Sequence, residues 1–383
     1  MTAIPGSPHR AWIEIDHGAL ASNLRVLREM AGEAREVIGV VKANAYGHGA
    51  VEVSRTLVAH GAERLAVATV REGEQLRSAG LTVPIIVLWG LGPAEVGPAL
   101  DAELEWVVGD LAAVERSELG AADQGRRAAL HLKVDTGLHR QGSEPAEAVG
   151  LAMRIARSPN LRLAGTMTHL AAPGDDEAFT DVQIVRLAQV LDAMRSAGTD
   201  PGMVHVAATG GILARVAPFA DAIRPGLGLY GLAPAWSADR EIGLRPVLSV
   251  KALPTRIFRV AAGSPIGYGL RYRPEHDTTI ATLAIGYGDG WPRAHANNGW
   301  VLVRGARRPI VGAISMDGLT VDLGDEHDVT YADEFVLIGA QMNARISADE
   351  VAAERRTINY EVTTALRDRL PRVHLPEVVG GAG

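Results

Sequence analysis

Short apolar runs alternate with amphipathic segments between residues 37 and 224, and this alternation predicts a repeating strand–helix fold. The runs are continuously apolar, as expected of parallel strands that are covered on both faces. In the segments between them, such as Val51–His60 and Asp181–Ser196, apolar residues recur every three or four positions, which indicates helices. The predicted strands are Val37–Val41, Arg64–Ala68, Ile85–Leu88, Glu105–Val108, Leu130–Val134, Ala164–Thr168, Val204–Ala207 and Ala222–Arg224. Eight strand–helix units in succession predict an N-terminal (β/α)8 barrel of the TIM type.

The pattern changes after about residue 243, where short apolar runs are separated by Gly, Pro, Asp or Asn. Such spacing is typical of an all-β domain. A helix is predicted at Ser347–Arg355, where Ser347 and Glu350 have the spacing of a capping box. The predicted strands of this region are Ser249–Leu253, Thr278–Ala284, Trp300–Val303, Leu319–Leu323 and Glu334–Ile338.

Two domains follow from these patterns. Residues 12–243 are predicted to form the barrel, and residues 244–383 a mainly-β C-terminal domain. The segment Trp12–Ile15 has the alternating pattern of a strand and precedes the barrel repeat. The sequence leaves open whether this strand, together with residues 1–11, pairs with the C-terminal domain.

Composition narrows the function classes. The 383 residues are 47% hydrophobic, which is ample for a sizeable core, and the formal net charge is −7 with Lys and Arg scattered. Because nucleic-acid binding needs a basic surface, no such partner is expected. The absence of cysteine excludes disulfides, thiolate nucleophiles and Cys-ligated metals, and no metal site is predicted. No apolar run approaches the ~20 residues of a membrane span, and no signal-peptide core is present, so we expect a cytoplasmic protein without a membrane partner.

Barrel enzymes keep their chemistry at the C-terminal ends of the strands, and the first such end carries a lysine. Lys42 closes the run Val37–Val41 and is followed by Tyr46 and a Gly-rich turn. Desolvation at a strand end lowers the pKa of a lysine, which suits Schiff-base formation. Taken alone, Lys42 fits equally well a strand-end lysine whose ammonium group reaches the solvent.

Further candidates follow the later strands. Arg140 lies in the loop after the fifth strand and could clamp a carboxylate, whereas His169 at the end of the sixth is by itself weak support. Small and hydroxyl residues follow both the seventh strand, at Thr209, and the eighth, at Gly226, as in the usual phosphate cradle of a barrel. A strand-end lysine with a phosphate cradle indicates a pyridoxal phosphate enzyme, although a sugar-phosphate aldolase shares both features.

The second half of the chain separates these alternatives. Val40–Gly49 resembles the lysine motif of the alanine racemase family without a gap, and the resemblance continues nearly to the end of the chain, in the order found in that family. The further matching blocks are Asp135–Arg140, Thr168–His169, Arg224–Gly231, Gly267–Gly269, Ile285–Gly290, Ser315–Asp317 and Ile358–Glu361.

The resemblance implies a homodimer that interconverts L- and D-alanine with pyridoxal 5'-phosphate and supplies D-alanine for peptidoglycan. Racemisation needs a base on each face of a planar carbanion. Lys42 would hold the cofactor and act as one base, and Tyr268 from the partner subunit would be the other. Arg224 would face the pyridine nitrogen and, because it keeps its proton, would make the ring a poorer electron sink. His169 would link Arg224 to Tyr268 and lower the pKa of the tyrosine.

The remaining roles are also implied by the resemblance. Arg140 and the Met316 backbone amide would orient the substrate carboxylate, and a carbamylated Lys133 braces this arginine in some family members. Asp317 and Tyr287 would line the entrance. The phosphate would be held by Tyr46, Thr209, Gly226, Leu227 and Tyr360.

The chain departs from the family pattern in the phosphate loop, where Ala208 replaces a common Asn and Gly210 and Gly211 stand where alanines are frequent. Thr209 keeps the hydroxyl of the usual Ser, and Gly318 replaces a frequent Gln. These departures leave room for a serine or broad-specificity racemase. A decarboxylase is disfavoured by Arg224, and a non-catalytic pyridoxal phosphate-binding protein by the presence of the second domain.

Overall fold

A computed structural model describes residues 9–237 and 240–376, which form two compact units. The barrel unit comprises residues 20–45 and 49–245, and the β unit comprises residues 9–19, 46–48 and 246–376. Residues 1–8 and 377–383 of the predicted domain ranges lie outside the described residues. The described chain opens with strand β1 (Ala11–Asp16), which belongs to the β unit, and helix α1 (His17–Ala31) follows it.

Eight parallel strands close into a barrel, so the predicted fold is confirmed. The last strand returns to the first through the pairing of Ala222 with Glu36. The strands are β2 (Glu36–Val40), β3 (Arg64–Val67), β4 (Ile85–Val87), β5 (Glu105–Val108), β6 (Ala128–Lys133), β7 (Leu161–Met167), β8 (Met203–Ala208) and β9 (Ala222–Arg224). The helices between them are α2 (Ala50–Ala59), α3 (Val70–Ser78), α4 (Val96–Asp101), α5 (Leu111–Asp123), α6 (Pro145–Arg157), α7 (Glu177–Ser196) and α8 (Thr209–Ala214).

The β unit is built on a ten-stranded sheet. Besides β1, its strands are β10 (Leu248–Ala252), β11 (Pro254–Val260), β12 (Thr278–Leu283), β13 (Gly299–Val303), β14 (Ala306–Val311), β15 (Leu319–Gly324), β16 (Phe335–Gln341), β17 (Ala344–Ile346) and β18 (Arg372–Leu375). Their order is β11-β12-β15-β14-β13-β16-β10-β1-β18, with β17 paired to β16. Strand β1 lies between β10, which it pairs antiparallel, and β18, which it pairs parallel. The segment Trp12–Ile15, whose pairing the sequence left open, is therefore part of the sheet of the β unit.

The described part of the β unit also contains the helices α9 (Ala348–Arg355) and α10 (Asn359–Thr364). Helix α9 begins as predicted, because Ser347 Oγ accepts a hydrogen bond from the Glu350 amide at 3.1 Å. The predicted capping box is only half formed, since the Glu350 carboxylate accepts from Arg307 (Nη2–Oε2 2.9 Å). No helix within residues 9–237 and 240–376 is both long and apolar enough to cross a bilayer.

Candidate active site

Lys42 follows β2 and opens a turn of left-handed backbone. Ala43, Asn44 and Ala45 all have φ of 53° with ψ between 47° and 53°, and Tyr46 also has φ of 53°. The Ala45 amide donates to the Val41 carbonyl at 2.8 Å. This conformation costs about 1–2 kcal/mol for each residue that has a Cβ, so contacts around the turn must hold it.

The surroundings of Lys42 favour its neutral amine. Burial lowers the pKa of Lys42, and the charges of Arg140 and Arg224 lower it further, whereas Glu72 acts in the opposite direction. A neutral amine is the form that acts as a nucleophile or a base.

Arg224 ends β9 inside the barrel and is only 2% exposed. Its Nη1 donates to the His205 carbonyl (2.6 Å) and contacts His205 Nδ1 (3.0 Å), and its Nη2 donates to the Thr168 and Val206 carbonyls (2.8 and 2.9 Å). Within the described part of the chain, the guanidinium Nε has no partner. Burial lowers the pKa of Arg224 to about 9, so the guanidinium is still charged near neutral pH, and a bound anion would stabilise that charge.

A chain of buried side chains leads from Arg224 through the barrel interior. His205 Nε2 lies 2.9 Å from His131 Nδ1, and His131 Nε2 lies 3.0 Å from Glu105 Oε2. A carboxylate accepts only, so His131 must donate from Nε2, and His205 must in turn donate from Nε2 and accept from Arg224 at Nδ1. This direction of donation gives Arg224 an acceptor on His205 and fixes the orientation of its guanidinium.

His169 lies beside Arg224, with Nδ1 3.4 Å from Nη2. Burial lowers the pKa of His169 to about 3, and the charges of Arg224 and Arg140 act in the same direction. The imidazole is therefore neutral at physiological pH. His169 contacts Arg224 within the barrel unit, whereas Tyr268 belongs to the β unit.

The charge of Arg140 acts on both Lys42 and Lys133, and the charge of Lys42 acts on Lys133. The Arg140 guanidinium stacks over the Trp89 ring at 5.6 Å, and Lys133 Nζ donates to Gln141 Oε1 at 3.4 Å. Burial lowers the pKa of Lys133 to about 8, with Arg140 and Arg224 contributing. Carbamylation requires a neutral amine, and the lowered pKa enlarges the neutral fraction of Lys133.

Thr209 joins the loops that follow β8 and β9. Its Oγ1 accepts from the amides of Gly226 (3.2 Å) and Gly228 (3.0 Å), which leaves its hydroxyl hydrogen to donate to a ligand. Leu227 lies buried between them in a 3-10 turn. A Cβ at Gly228 would lie 3.0 Å from Thr209 Cγ2, so a larger residue there would have to displace the Thr209 side chain.

Tyr46 and Tyr360 come together in the β unit, with ring centroids 6.3 Å apart. Burial raises the pKa of both phenols, which therefore keep their protons and can donate hydrogen bonds. Gly47, next to Tyr46, has φ of 86°, and a Cβ there would lie 2.1 Å from the Thr363 carbonyl oxygen. Only glycine fits this position.

The other predicted residues of the β unit lie on neighbouring loops. Gly267 approaches Ala313, and the Tyr287 amide donates to the Ser315 carbonyl at 3.1 Å. Tyr268 is 75% exposed in the single chain and Met316 53% exposed. Asp317 accepts from Arg369 at 2.7 Å.

The structure thus brings the predicted residues into two groups, each within one unit. The barrel group is Lys42, Lys133, Arg140, His169, Thr209, Arg224, Gly226 and Leu227, and the β-unit group is Tyr46, Tyr268, Tyr287, Met316, Asp317 and Tyr360.

Four buried or half-buried residues of the barrel were not predicted from the sequence: Glu72, Glu105, His131 and His205. A histidine in the middle of an apolar strand was the available signal for His131 and His205, because a polar group there needs a partner. Glu72 completes a capping box with Thr69. The sequence pattern of a capping box predicts the helix cap, but it does not predict the contact of Glu72 with the Lys42 turn.

Comparisons with known proteins agree with this geometry. The family model of the alanine racemase N-terminal domain matches residues 15–234, and that of the alanine racemase C-terminal domain matches residues 247–374. The alanine racemase of Halothermothrix orenii is 38% identical over 371 residues, which cover 96% of this chain and 98% of that protein.

Solved structures give the same result. The alanine racemase from D-cycloserine producing Streptomyces lavendulae superposes with a TM-score of 0.90 at 33% identity, covering 98% of this chain and 99% of that one. The alanine racemase from Bartonella henselae, solved with covalently bound pyridoxal phosphate, gives a TM-score of 0.85 at 28% identity, covering 96% of this chain and all of the other. With both family domains matched in order around the Lys42 and Arg224 cluster, this chain belongs to the alanine racemase family.

Proposed function

We propose that this chain is an isomerase that interconverts L-alanine and D-alanine, with pyridoxal phosphate held at Lys42. The observation that carries the proposal is the cationic cluster around a half-buried lysine of lowered pKa at the mouth of the barrel. The alanine racemases that match this chain over nearly its whole length support alanine as the substrate.

The side chains of the barrel unit fit an anionic cofactor and an amino-acid carboxylate. Arg140 and Arg224 lower the pKa of both Lys42 and Lys133, so anions bound among these groups are stabilised by all of them. Pyridoxal phosphate, when bound, withdraws electrons from the α-carbon of the amino acid and makes its proton removable.

Two residues of this chain would move that proton. Lys42 Nζ would serve one face of the substrate, since its surroundings favour the neutral amine. Tyr268 would serve the opposite face with its phenol oxygen. Glycines with φ of 71° and 72° flank Tyr268 on either side, and the residue is exposed, so it is accessible to a second subunit.

Arg224 would hold the cofactor ring through Nε, because its Nη hydrogens are already directed to His205, Val206 and Thr168. A guanidinium keeps its proton near neutral pH, so it would donate a hydrogen bond to the ring nitrogen without transferring the proton. By keeping its proton, Arg224 would limit electron withdrawal by the ring and would favour racemisation over transamination. His169, neutral beside Arg224, would orient the phenol of Tyr268.

Other residues would bind and orient. Thr209 would donate its hydroxyl to the phosphate, next to Gly226 and Leu227, and the protonated phenols of Tyr46 and Tyr360 would donate as well. Arg140, braced by Lys133, and the Met316 amide would orient the substrate carboxylate. Tyr287 and Asp317 would line the entrance.

We further propose a cytoplasmic homodimer in which each active site takes Lys42 from one subunit and Tyr268 from the other. The exposure of Tyr268 and Met316, at 75% and 53%, supports a surface that a second copy covers. In this setting the product D-alanine would serve peptidoglycan synthesis.

The proposal is tested by borohydride reduction of the cofactor-loaded protein, followed by peptide mapping. The chain contains only three lysines, Lys42, Lys133 and Lys251, so the result is unambiguous. We expect the label on Lys42 and its loss in Lys42→Ala. In parallel, conversion of L- to D-isomers is measured for a panel that includes alanine and serine. A label on Lys133 or Lys251 would contradict the site, and faster conversion of serine would contradict the substrate.

A further inference from the structure

The side chain of Glu72 connects the Lys42 turn to the start of helix α3. Its Oε1 accepts from the Ala43 amide at 2.6 Å, and its Oε2 accepts from the amides of Ala68 and Thr69 at 2.8 and 3.1 Å. Ala43 is the residue directly after Lys42. One carboxylate therefore joins the loops that follow β2 and β3.

The left-handed turn needs such a contact. Four consecutive residues with a Cβ adopt φ of 53°, which without external support costs about 1–2 kcal/mol each. The far end of the turn is held by Asn44, whose Oδ1 accepts from the Ala50 amide at 2.8 Å and whose carbonyl accepts from Gly49 at 2.9 Å. At the end next to Lys42, the side chain that accepts the Ala43 amide is Glu72.

We infer that Glu72 is a positioning residue for Lys42: its carboxylate ties the left-handed turn to α3 and so fixes the direction in which the lysine side chain leaves the backbone. The inference rests on the proposed function only for what Lys42 does. A carboxylate is required because both oxygens accept, whereas the amide of a glutamine would present an NH2 group to one of the backbone donors.

The position of Glu72 also affects the charge balance of the lysine. The titratable groups that act on Lys42 are Arg140 and Arg224, whose charges lower its pKa, and Glu72, whose charge raises it. Lys42 in turn acts on Lys133. Loss of the carboxylate removes the anionic member of this group and enlarges the neutral fraction of Lys42.

The test compares three variants in the full-length protein without added cofactor. Glu72→Gln removes one acceptor and the charge, and Glu72→Asp keeps the charge but shortens the side chain by one methylene. Thr69→Ala is the matched control, because it removes the other half of the α3 capping box, the bond from the Glu72 amide to Thr69 Oγ1 at 3.3 Å, and leaves the carboxylate in place.

We expect amide hydrogen exchange at Ala43 to accelerate about fivefold to tenfold in both Glu72 variants, as for the loss of one hydrogen bond, and to stay unchanged in Thr69→Ala. With an amine-reactive ester at neutral pH, labelling of Lys42 relative to Lys251 should increase severalfold in Glu72→Gln, because its pKa falls. Exchange at Ala43 that stays at the parent rate in both Glu72 variants, or that rises equally in Thr69→Ala, would overturn the inference.

These measurements need neither substrate nor cofactor. Their failure would leave the proposed racemase standing, whereas a borohydride label on another lysine would remove the proposed function and leave the contact between Glu72 and Ala43 intact.

Discussion

The buried charge of Arg224 has a direct effect on its neighbour His169. A guanidinium held by three carbonyl groups cannot swing away, so the imidazole at 3.4 Å meets a fixed positive charge in addition to its own burial. Both effects disfavour a second cation, which explains why the pKa of His169 falls to about 3.

This shift makes His169 a source of acid sensitivity. Below its ordinary pKa of 6.5 the unfolded chain binds a proton that the folded chain excludes, so stability falls as the pH falls from 6.5 toward 3. When the pH falls from about 7.5 to about 5, the parent loses unfolding free energy because of His169. We expect the His169→Asn variant to lose about 2 kcal/mol less than the parent over this range. Chemical denaturation at the two pH values measures it, with the exposed His276→Asn as control. An equal loss in variant and parent would show that His169 is protonated in the folded protein.

Tyr268 is the residue on which the two-base mechanism depends. With the tyrosine acting on one face and Lys42 on the other, Tyr268→Phe should keep exchange of the α-hydrogen of D-alanine with deuterated solvent and lose it for L-alanine. A general base contributes roughly 10²- to 10⁴-fold in rate, so the difference should be plain. Mass spectrometry of the recovered amino acids gives the result. Equal losses for both enantiomers, in protein that still binds the cofactor, would indicate a single shared base.

Among the elements, the turn after β2 is tightly constrained by backbone geometry. Gly47 has a positive φ of 86°, and a Cβ at this position would lie only 2.1 Å from the carbonyl oxygen of Thr363. Gly80 has nearly the same φ, 87°, but open space around its missing Cβ.

The two glycines form a matched pair. Gly80→Ala should cost about 1–2 kcal/mol, the conformational penalty alone. Gly47→Ala carries the same penalty plus a clash at 2.1 Å and should cost at least about 3 kcal/mol more, with the Tyr46 position displaced. Urea unfolding of both variants checks the difference. Similar values for the two would mean that the turn relaxes freely.

The barrel strands could be predicted from the sequence because burial on both faces makes them continuously apolar. Strand β7 begins at Leu161, three residues before the predicted start. The prediction began too late because the exposed Arg162, the second residue of the strand, interrupts the apolar run. In the β unit, β11 and β14 were missed for a related reason: exposed arginines and Pro309 remove the apolar pattern while the pairing with β12 and β13 persists.

The site was predictable only in part. Lys42, Arg140 and Thr209 follow apolar strands, so their positions come from the pattern. The left-handed turn could not be foreseen, because alanine rarely adopts that conformation and the contact that holds it comes from Glu72, in the next strand–helix unit. Likewise, Glu105 on β5 meets His131 on β6 only when these two strands pair.

At the scale of the whole molecule, the two proposed bases belong to different units, Lys42 to the barrel unit and Tyr268 to the β unit. If each site takes one base from each subunit, mixing inactive Lys42→Ala and Tyr268→Phe proteins should restore one intact site in each heterodimer. Subunits that exchange at random then give about a quarter of the parent activity per subunit, measured after refolding together. A mixture shown to contain heterodimers, yet inactive, would place both bases in one chain.

Strand β1 has a consequence for biosynthesis. Five of its six residues are buried, yet its partners β10 and β18 leave the ribosome only after the whole barrel has been made. During that interval the apolar strand β1 has no partner strand, so it is exposed to association with other chains or with a chaperone. The same arrangement offers a use: a fragment beginning after Asp16 would lack the strand between β10 and β18, and a synthetic peptide of residues 11–16 would fill it, as in split-protein complementation.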